Sequence, residues 1–106
     1  MTYTKKHILV FTDWYLPGYK AGGPIRSLAN LVQGTEHYFH IVTRNTDHHS
    51  TEPYPDIEPN KWIDLSDRVR IIYFEEKNLN QGNFSAILHE RSYDKIYLNS
   101  LFSPRF

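Results

Sequence analysis

"HILVFTDWYLPGYKAGGPIRSLANLV", residues 7–32, is the stretch that decides the fold. Its first five residues form a short continuous apolar run, with lysines before and turn formers after, the pattern of a strand buried on both faces. From Pro24 onward, Ile25, Leu28, Ala29, Leu31 and Val32 recur at helical spacing. Proline suits the first turn of a helix and Gly34 suits its end, so the spacing predicts a helix of about three turns. A buried strand, a glycine- and proline-rich turn and an amphipathic helix make the opening of a βα unit.

Three more strands follow from the same reasoning. "YFHIVTRN" at 38–45 alternates Phe39, Ile41 and Thr43 against His40 and Val42, Val69 to Phe74 is apolar and β-branched, and "DKIYLNS" at 94–100 closes the set. A turn over Asp64 to Asp67 introduces the third strand. Between the third and fourth, Phe84, Ile87 and Leu88 share one face of a helix expected over Ser85 to Ser92, with Asn80 or Asn83 near its start. Residues 45–61 hold three prolines and few aliphatic residues, which predicts a surface loop longer than the usual limit of about 12 to 15 residues. Tyr54 and Trp62 in and beside it suit either a loop that folds over a site or a face that packs on another part of the protein.

Apolar strands separated by helices read as α/β, a Rossmann-like parallel sheet of about four strands in the order 3-2-1-4 with flanking helices. Ligands of such sheets bind outside the carboxyl ends of the strands, where the strand order reverses. Here that point lies between the first and fourth strands. It gathers the loop after strand one with Asn99, Ser100 and Ser103 after strand four.

Composition narrows the classes. Twelve basic against twelve acidic residues leave a formal net charge of zero, which removes the footprint expected of a nucleic-acid or anionic-membrane binder. Any anion must be held locally. There is no cysteine, so disulfides and thiolate metal sites are excluded, and a cytoplasmic location is compatible. The longest aliphatic run is far shorter than the roughly 20 residues of a transmembrane segment, and the start lacks the apolar core of a signal peptide. Leu101, Phe102 and Phe106 leave an apolar end, where domains usually finish in polar residues, so the chain is expected to be part of a longer protein.

Gly22 and Gly23 stand just before the helix, where a backbone without side chains and the helix N–H groups favour an anion. Arg26 in the first turn adds a guanidinium. The segment is neither G-x-G-x-x-G nor G-x-x-x-x-G-K-[ST], so on spacing alone a plain turn and a phosphate-facing loop are equally compatible. Asp13 emerges at the same edge and suits either a functional role, orienting a hydroxyl or acting as a base, or a structural one, capping the turn or pairing with Lys20 or Arg26. Trp14, Tyr15 and Tyr19 suit a sugar-stacking platform or cover for the sheet edge. His37, His40, His48 and His49 lack an acidic scaffold, so no metal site is assigned to them. His7 and His89 are expected to face solvent, and "DRVR" and "FEEK" to be solvated strand ends and loops.

The residues 7–32 resemble the amino-terminal start of family 4 glycosyltransferases, retaining sugar-nucleotide-dependent enzymes with two facing Rossmann-like domains, the GT-B fold. "YLP" after the strand, "GG" before the helix and the apolar helix carry the likeness, and "TEPYPDIEPNKWIDL" and "YDKIYLNSLFSPRF" extend it over nearly the whole chain. The resemblance implies that residues 1–106 are a partial amino-terminal, acceptor-side domain, with the carboxy-terminal donor-binding domain lying outside them. It implies transfer of a sugar from a nucleotide-diphosphate-sugar to a glycan or lipid-linked acceptor, as in polysaccharide biosynthesis, with no further cofactor and no metal. Gly22 and Gly23 match the family's glycine pair and would line the donor diphosphate and sugar, assisted by Arg26. Asp13, Tyr15, Tyr19, Asn99 and Ser100 fall on the acceptor side, Asp13 being the candidate base. The family's histidine near the end of a later strand has no counterpart in Leu98, Asn99 and Ser100. The isolated chain is expected to be inactive, and its parent to work in the cytoplasm, at the inner membrane face if it associates peripherally. A standalone Rossmann-like binding module without catalysis is the alternative.

Overall fold

In the computed structural model, residues 5–12, 15–16, 23–46 and 52–99 are described, with backbone only at 23, 24 and 99. The elements are β1 (His7–Thr12), α1 (Gly23–Gly34), β2 (Tyr38–Arg44), β3 (Trp62–Asp64), β4 (Val69–Phe74), α2 (Gln81–Glu90) and β5 (Lys95–Asn99). They form one sheet in the order β3-β4-β2-β1-β5. β1 pairs in parallel with β2 and β5, and β2 with β4, whereas β3 runs antiparallel to β4.

The sheet is therefore mixed and five-stranded, which corrects the expected four-stranded order 3-2-1-4. The added strand is β3. Its residues had been read as the run-up to a turn, and they pair because that turn folds Leu65 and Ser66 back so that their N–H groups donate to the Val69 carbonyl. The four parallel strands keep the relative order expected of them.

Side-chain alternation divides the core in two. Val10 of β1 joins Phe39, Ile41, Val69, Ile71 and Tyr73 on one face, where Leu28, Ala29 and Val32 of α1 close over them. Leu9 and Phe11 join Val42, Ile72 and Phe74 on the other face, against Phe84 and Ile87 of α2. Each fully buried large side chain contributes about 1.5 to 3 kcal/mol, so two sealed faces account for the sheet's stability. The Phe84 ring meets Phe11 edge-on at 5.3 Å and Phe74 at 6.4 Å. The buried stripe of α1 is Ile25, Leu28, Ala29 and Val32, whereas Leu31 lies outside it and is exposed.

A chain moving from β1 to β2 and a chain moving from β4 to β5 travel in opposite directions along the sheet. Connections of one handedness then fall on opposite faces, as α1 and α2 do, and the direction changes between β1 and β5. α2 starts where Asn80 caps it, its Oδ1 accepting from the Asn83 N–H at 2.9 Å. That start precedes the expected Ser85 by four residues of sequence and uses one of the two asparagines expected there.

The described part of the long loop is held at both sides. Thr46 bridges Pro53, and the Asn60 N–H donates to the Tyr73 carbonyl at 2.7 Å. The Asn60 amide also exchanges two hydrogen bonds with Glu75. Asp56 and Asn60 take positive φ, which their short polar side chains tolerate. Tyr54 and Ile57 pack on the α1 face of this same sheet.

Candidate functional site

At the carboxyl ends of the strands, β1 finishes at Thr12 and β2 at Arg44, and both residues are buried together with Thr43 and Asn45. β4 leads into Glu75 and Glu76, and a 3-10 turn over Glu76–Asn78 follows. The Arg44 guanidinium stands 4.0 Å from the Glu76 carboxylate, so a cation that cannot be left bare in the core reaches an exposed anion. β5 ends at Asn99, whose backbone lies beside Thr12.

α1 begins at Gly23 on this edge. No acidic residue stands in its first turn, so nothing of the helix itself neutralises the positive end of its dipole. Arg26 is exposed one turn in. Thr43, fully buried on the α1 face, has a hydroxyl with no hydrogen-bond partner among the described residues. An unpaired buried hydroxyl costs about 1 to 3 kcal/mol, a cost that a purely structural core would avoid with valine.

The residues expected at the site divide accordingly. Gly23, Arg26 and Asn99 stand at or near the carboxyl edge, where β1, β5 and the start of α1 converge. Asp13, Gly22, Tyr19 and Ser100 lie outside the described residues. Tyr15, expected on the acceptor side, is a core residue of the α1 face, only 4% exposed. Burial raises its phenol above the ordinary range, and its backbone carbonyl accepts from the Tyr54 hydroxyl at 3.3 Å. Tyr73, pushed up to about 12 by burial and then by Tyr15, donates to the Leu16 carbonyl. These phenols fasten the start of the β1–α1 loop to the core. Beside them, Tyr15, Leu16, Val32, Ile57, Leu65 and Tyr73 line a groove of about 510 Å³ along α1.

The opposite ends of the strands hold a second polar cluster. Arg70 Nε donates to His40 Nδ1 at 2.6 Å, and His40 Nε2 stands 3.0 Å from His7 Nδ1. A guanidinium only donates, so neutral His40 carries its proton on Nε2 and gives it to His7 Nδ1. Separately, the His7 backbone N–H donates to the Asp94 carboxylate at 2.7 Å. Arg70 also pairs with Glu90 and lies 3.8 Å over the Trp62 ring. Burial, followed by the Arg70 and Arg91 guanidiniums and His7, lowers His40 to about 4. His7 is lowered by burial and Arg91, against the opposing pull of Asp94. A groove of about 340 Å³ opens here.

This cluster corrects two expectations. His7 is half-buried and paired, not solvent-facing. Arg68 and Arg70 of "DRVR" are structural bonds, Arg68 donating to the carbonyls of Thr35 and His37 at 2.8 and 3.0 Å. Only the register joins residues 30 and 33 positions apart, so no local motif announces them. Among the described residues no group of three or more His, Cys, Asp or Glu is disposed to hold a metal ion. No helix among them is long and apolar enough to cross a membrane.

Compared with family models, with curated proteins and with solved structures, the chain matches none at significance.

Proposed function

We propose that this chain is the acceptor-side portion of a retaining glycosyltransferase of the two-domain GT-B kind, moving a sugar from a nucleotide-diphosphate-sugar to a glycan or lipid-linked acceptor. The observation that carries the reading is the entry of α1 at Gly23 on the carboxyl edge, beside the point between β1 and β5 where the crossovers change face. The family likeness of residues 7–32 and the α/β architecture support the same reading. In it, Gly22 and Gly23 let the helix N–H groups approach the donor diphosphate, and Arg26 adds a charge-assisted contact. Their joint work is to stabilise the departing diphosphate as negative charge accumulates on it. In this reading Asp13, with Asn99 and Ser100, orients the acceptor hydroxyl, and Tyr19 is assigned to the acceptor as well. The donor nucleotide itself is held by a carboxy-terminal domain of the parent, which works in the cytoplasm, against the inner membrane face when its acceptor is a lipid.

The test is sugar transfer from a panel of labelled nucleotide-diphosphate-sugars by the parent protein. Gly23→Val is expected to reduce turnover about 100-fold and Arg26→Ala about 10-fold, the latter with an unchanged melting temperature because Arg26 is exposed. The 106-residue chain alone should transfer nothing. Turnover by the isolated chain, or no transfer by the parent from any donor, would overturn the proposal. Ligand binding by the parent without transfer would point instead to a binding module.

A further inference from the structure

The groove at the amino ends of the strands is lined by a guanidinium that the hydrogen-bond network uses only in part. Of the three arginines lining it, Arg68 is spent on the Thr35 and His37 carbonyls and Arg70 on His40 and Glu90. Arg91, exposed at the end of α2, commits only its Nε, to the Ser92 carbonyl at 3.2 Å, so its terminal nitrogens have no hydrogen-bond partner among the described residues. His7 supplies a second unused donor. Its Nδ1 accepts from His40 Nε2 at 3.0 Å, so the neutral ring carries its own proton on Nε2, and that N–H has no partner among the described residues. The Tyr38 ring stacks on His7 at 4.5 Å, with the planes 9° apart, and holds the imidazole in place.

We propose that His7 and Arg91 bind the phosphate group of a small soluble phosphate monoester in this groove. A guanidinium fork and an imidazole N–H offer donors from two residues, which suits the several oxygens of a phosphate, whereas the fork alone would satisfy a carboxylate. The chain from Arg70 through His40 to His7 polarises each N–H in turn, so the last of them, on His7 Nε2, is a stronger donor than that of an isolated imidazole. The field has the right sign. Burial first, then the Arg91 guanidinium and, more weakly, Arg70 keep a second proton off His7, with Asp94 opposing them, and a potential that repels a proton attracts an anion. The carbonyls at the end of α2 oppose an anion, and Arg91, standing at that end, offsets them. At about 340 Å³ the groove exceeds a bare phosphate, which leaves room for an organic portion beside Tyr38. Asp64 and Asp67, which also line it, repel an anionic membrane surface, so the phosphate belongs to a soluble molecule and not to a lipid headgroup. None of the lining residues belongs to β5, and the site stands independently of the glycosyltransferase reading.

Titration of the protein with inorganic phosphate, followed by NMR of the histidine rings, tests the site. Saturable shifts centred on His7 Nε2 are expected. Arg91→Ala should weaken phosphate binding about tenfold while the melting temperature stays put, because Arg91 is exposed. His7→Phe keeps an aromatic ring against Tyr38 and should weaken binding to a similar degree; should its loss of the His40 partner unfold the protein, Arg91→Ala still decides. Arg26→Ala, at the other end of the strands, should leave the His7 shifts unchanged. The proposal is overturned by the absence of shifts at His7 up to about 100 mM phosphate. Binding that survives Arg91→Ala but is lost in Arg26→Ala also overturns it, by moving the phosphate to the start of α1. Acetate shifting His7 at concentrations as low as phosphate does would refute the phosphate assignment, and Arg91-dependent binding to vesicles containing phosphatidic acid would refute the soluble source.

Discussion

The two ends of the parallel strands are chemically unlike. At the amino ends two arginines and the edge of β1 are tied down: Arg70 to His40, Glu90 and the Trp62 face, Arg68 to the Thr35 and His37 carbonyls, and the His7 backbone N–H to Asp94, although the buried Thr35 hydroxyl has no partner among the described residues. At the carboxyl ends the buried Thr43 hydroxyl is unpaired among the described residues, a helix starts without an acid in its first turn, and Arg26 is exposed. The difference follows from strand direction. In a βαβ unit each helix delivers its negative, carbonyl-bearing end to the amino side of the sheet and its positive end to the carboxyl side. Arginines are therefore at home at one end, as Arg68 shows beneath α1, and an anion is welcome at the other. The amino end ties the strands together, and the carboxyl end is where the proposed function places its ligand.

The sharpest way to break this contrast is Arg70→Ala. It removes the donor to His40 and leaves Glu90 and the Trp62 face without their partner, so about 3 kcal/mol of stability should be lost in urea unfolding. Ligand binding at the carboxyl end should be unaffected in the protein that remains folded. A loss below about 0.5 kcal/mol would mean that the amino-end cluster is ornamental.

Acid tests the same end more gently. His40 takes up a proton at about 4 when folded, below its ordinary value of 6.5, so between these values the unfolded chain binds more protons than the native one. Stability is then complete above pH 6.5 and falls as the pH drops towards 4, by on the order of 2 kcal/mol. Unfolding at pH 7, 5 and 4, with the His40 ring followed by NMR, should show this slope, and a flat profile would remove His40 from the account. The smallest effect is expected at the carboxyl end. Thr43→Val keeps the shape and deletes the unpaired hydroxyl, so stability should rise by up to about 1 kcal/mol in thermal unfolding. A clear loss would show that the hydroxyl is satisfied after all.

How much of this could be read in the sequence depended on the length over which each signal acts. β1, α1 and the parallel strands carry local signals, namely an apolar run, a helical stripe and capping residues, and these led to the right elements. α2 was legible through Asn80 and the Phe84–Ile87 stripe, although Gln81 to Asn83 were missed at its start because they are polar or glycine and carry no stripe. β3 was not legible, since three residues display no period and it exists only through its pairing with β4. Leu31 and Tyr15 show a subtler limit. Spacing places a residue near a helix face or a loop, but whether it turns inward depends on packing partners such as Tyr73 that lie far away in sequence. The His7–His40–Arg70 cluster is wholly of that kind. At the candidate site, the position of the β1–α1 turn was legible, because strand order alone determines where the crossovers change face.

The interior position of β1 also bears on how the protein is made. Its two neighbours are separated from it very unequally: β2 follows after one helix, whereas β5 comes only after two further strands and a second helix, and the bond from the His7 backbone N–H to Asp94 spans 87 positions. During synthesis the first strand waits for all of that chain before its second side is paired. Such long-range closure slows folding and leaves an apolar strand exposed until then, so a chaperone that shields Ile8 to Phe11 should matter most before Lys95 appears.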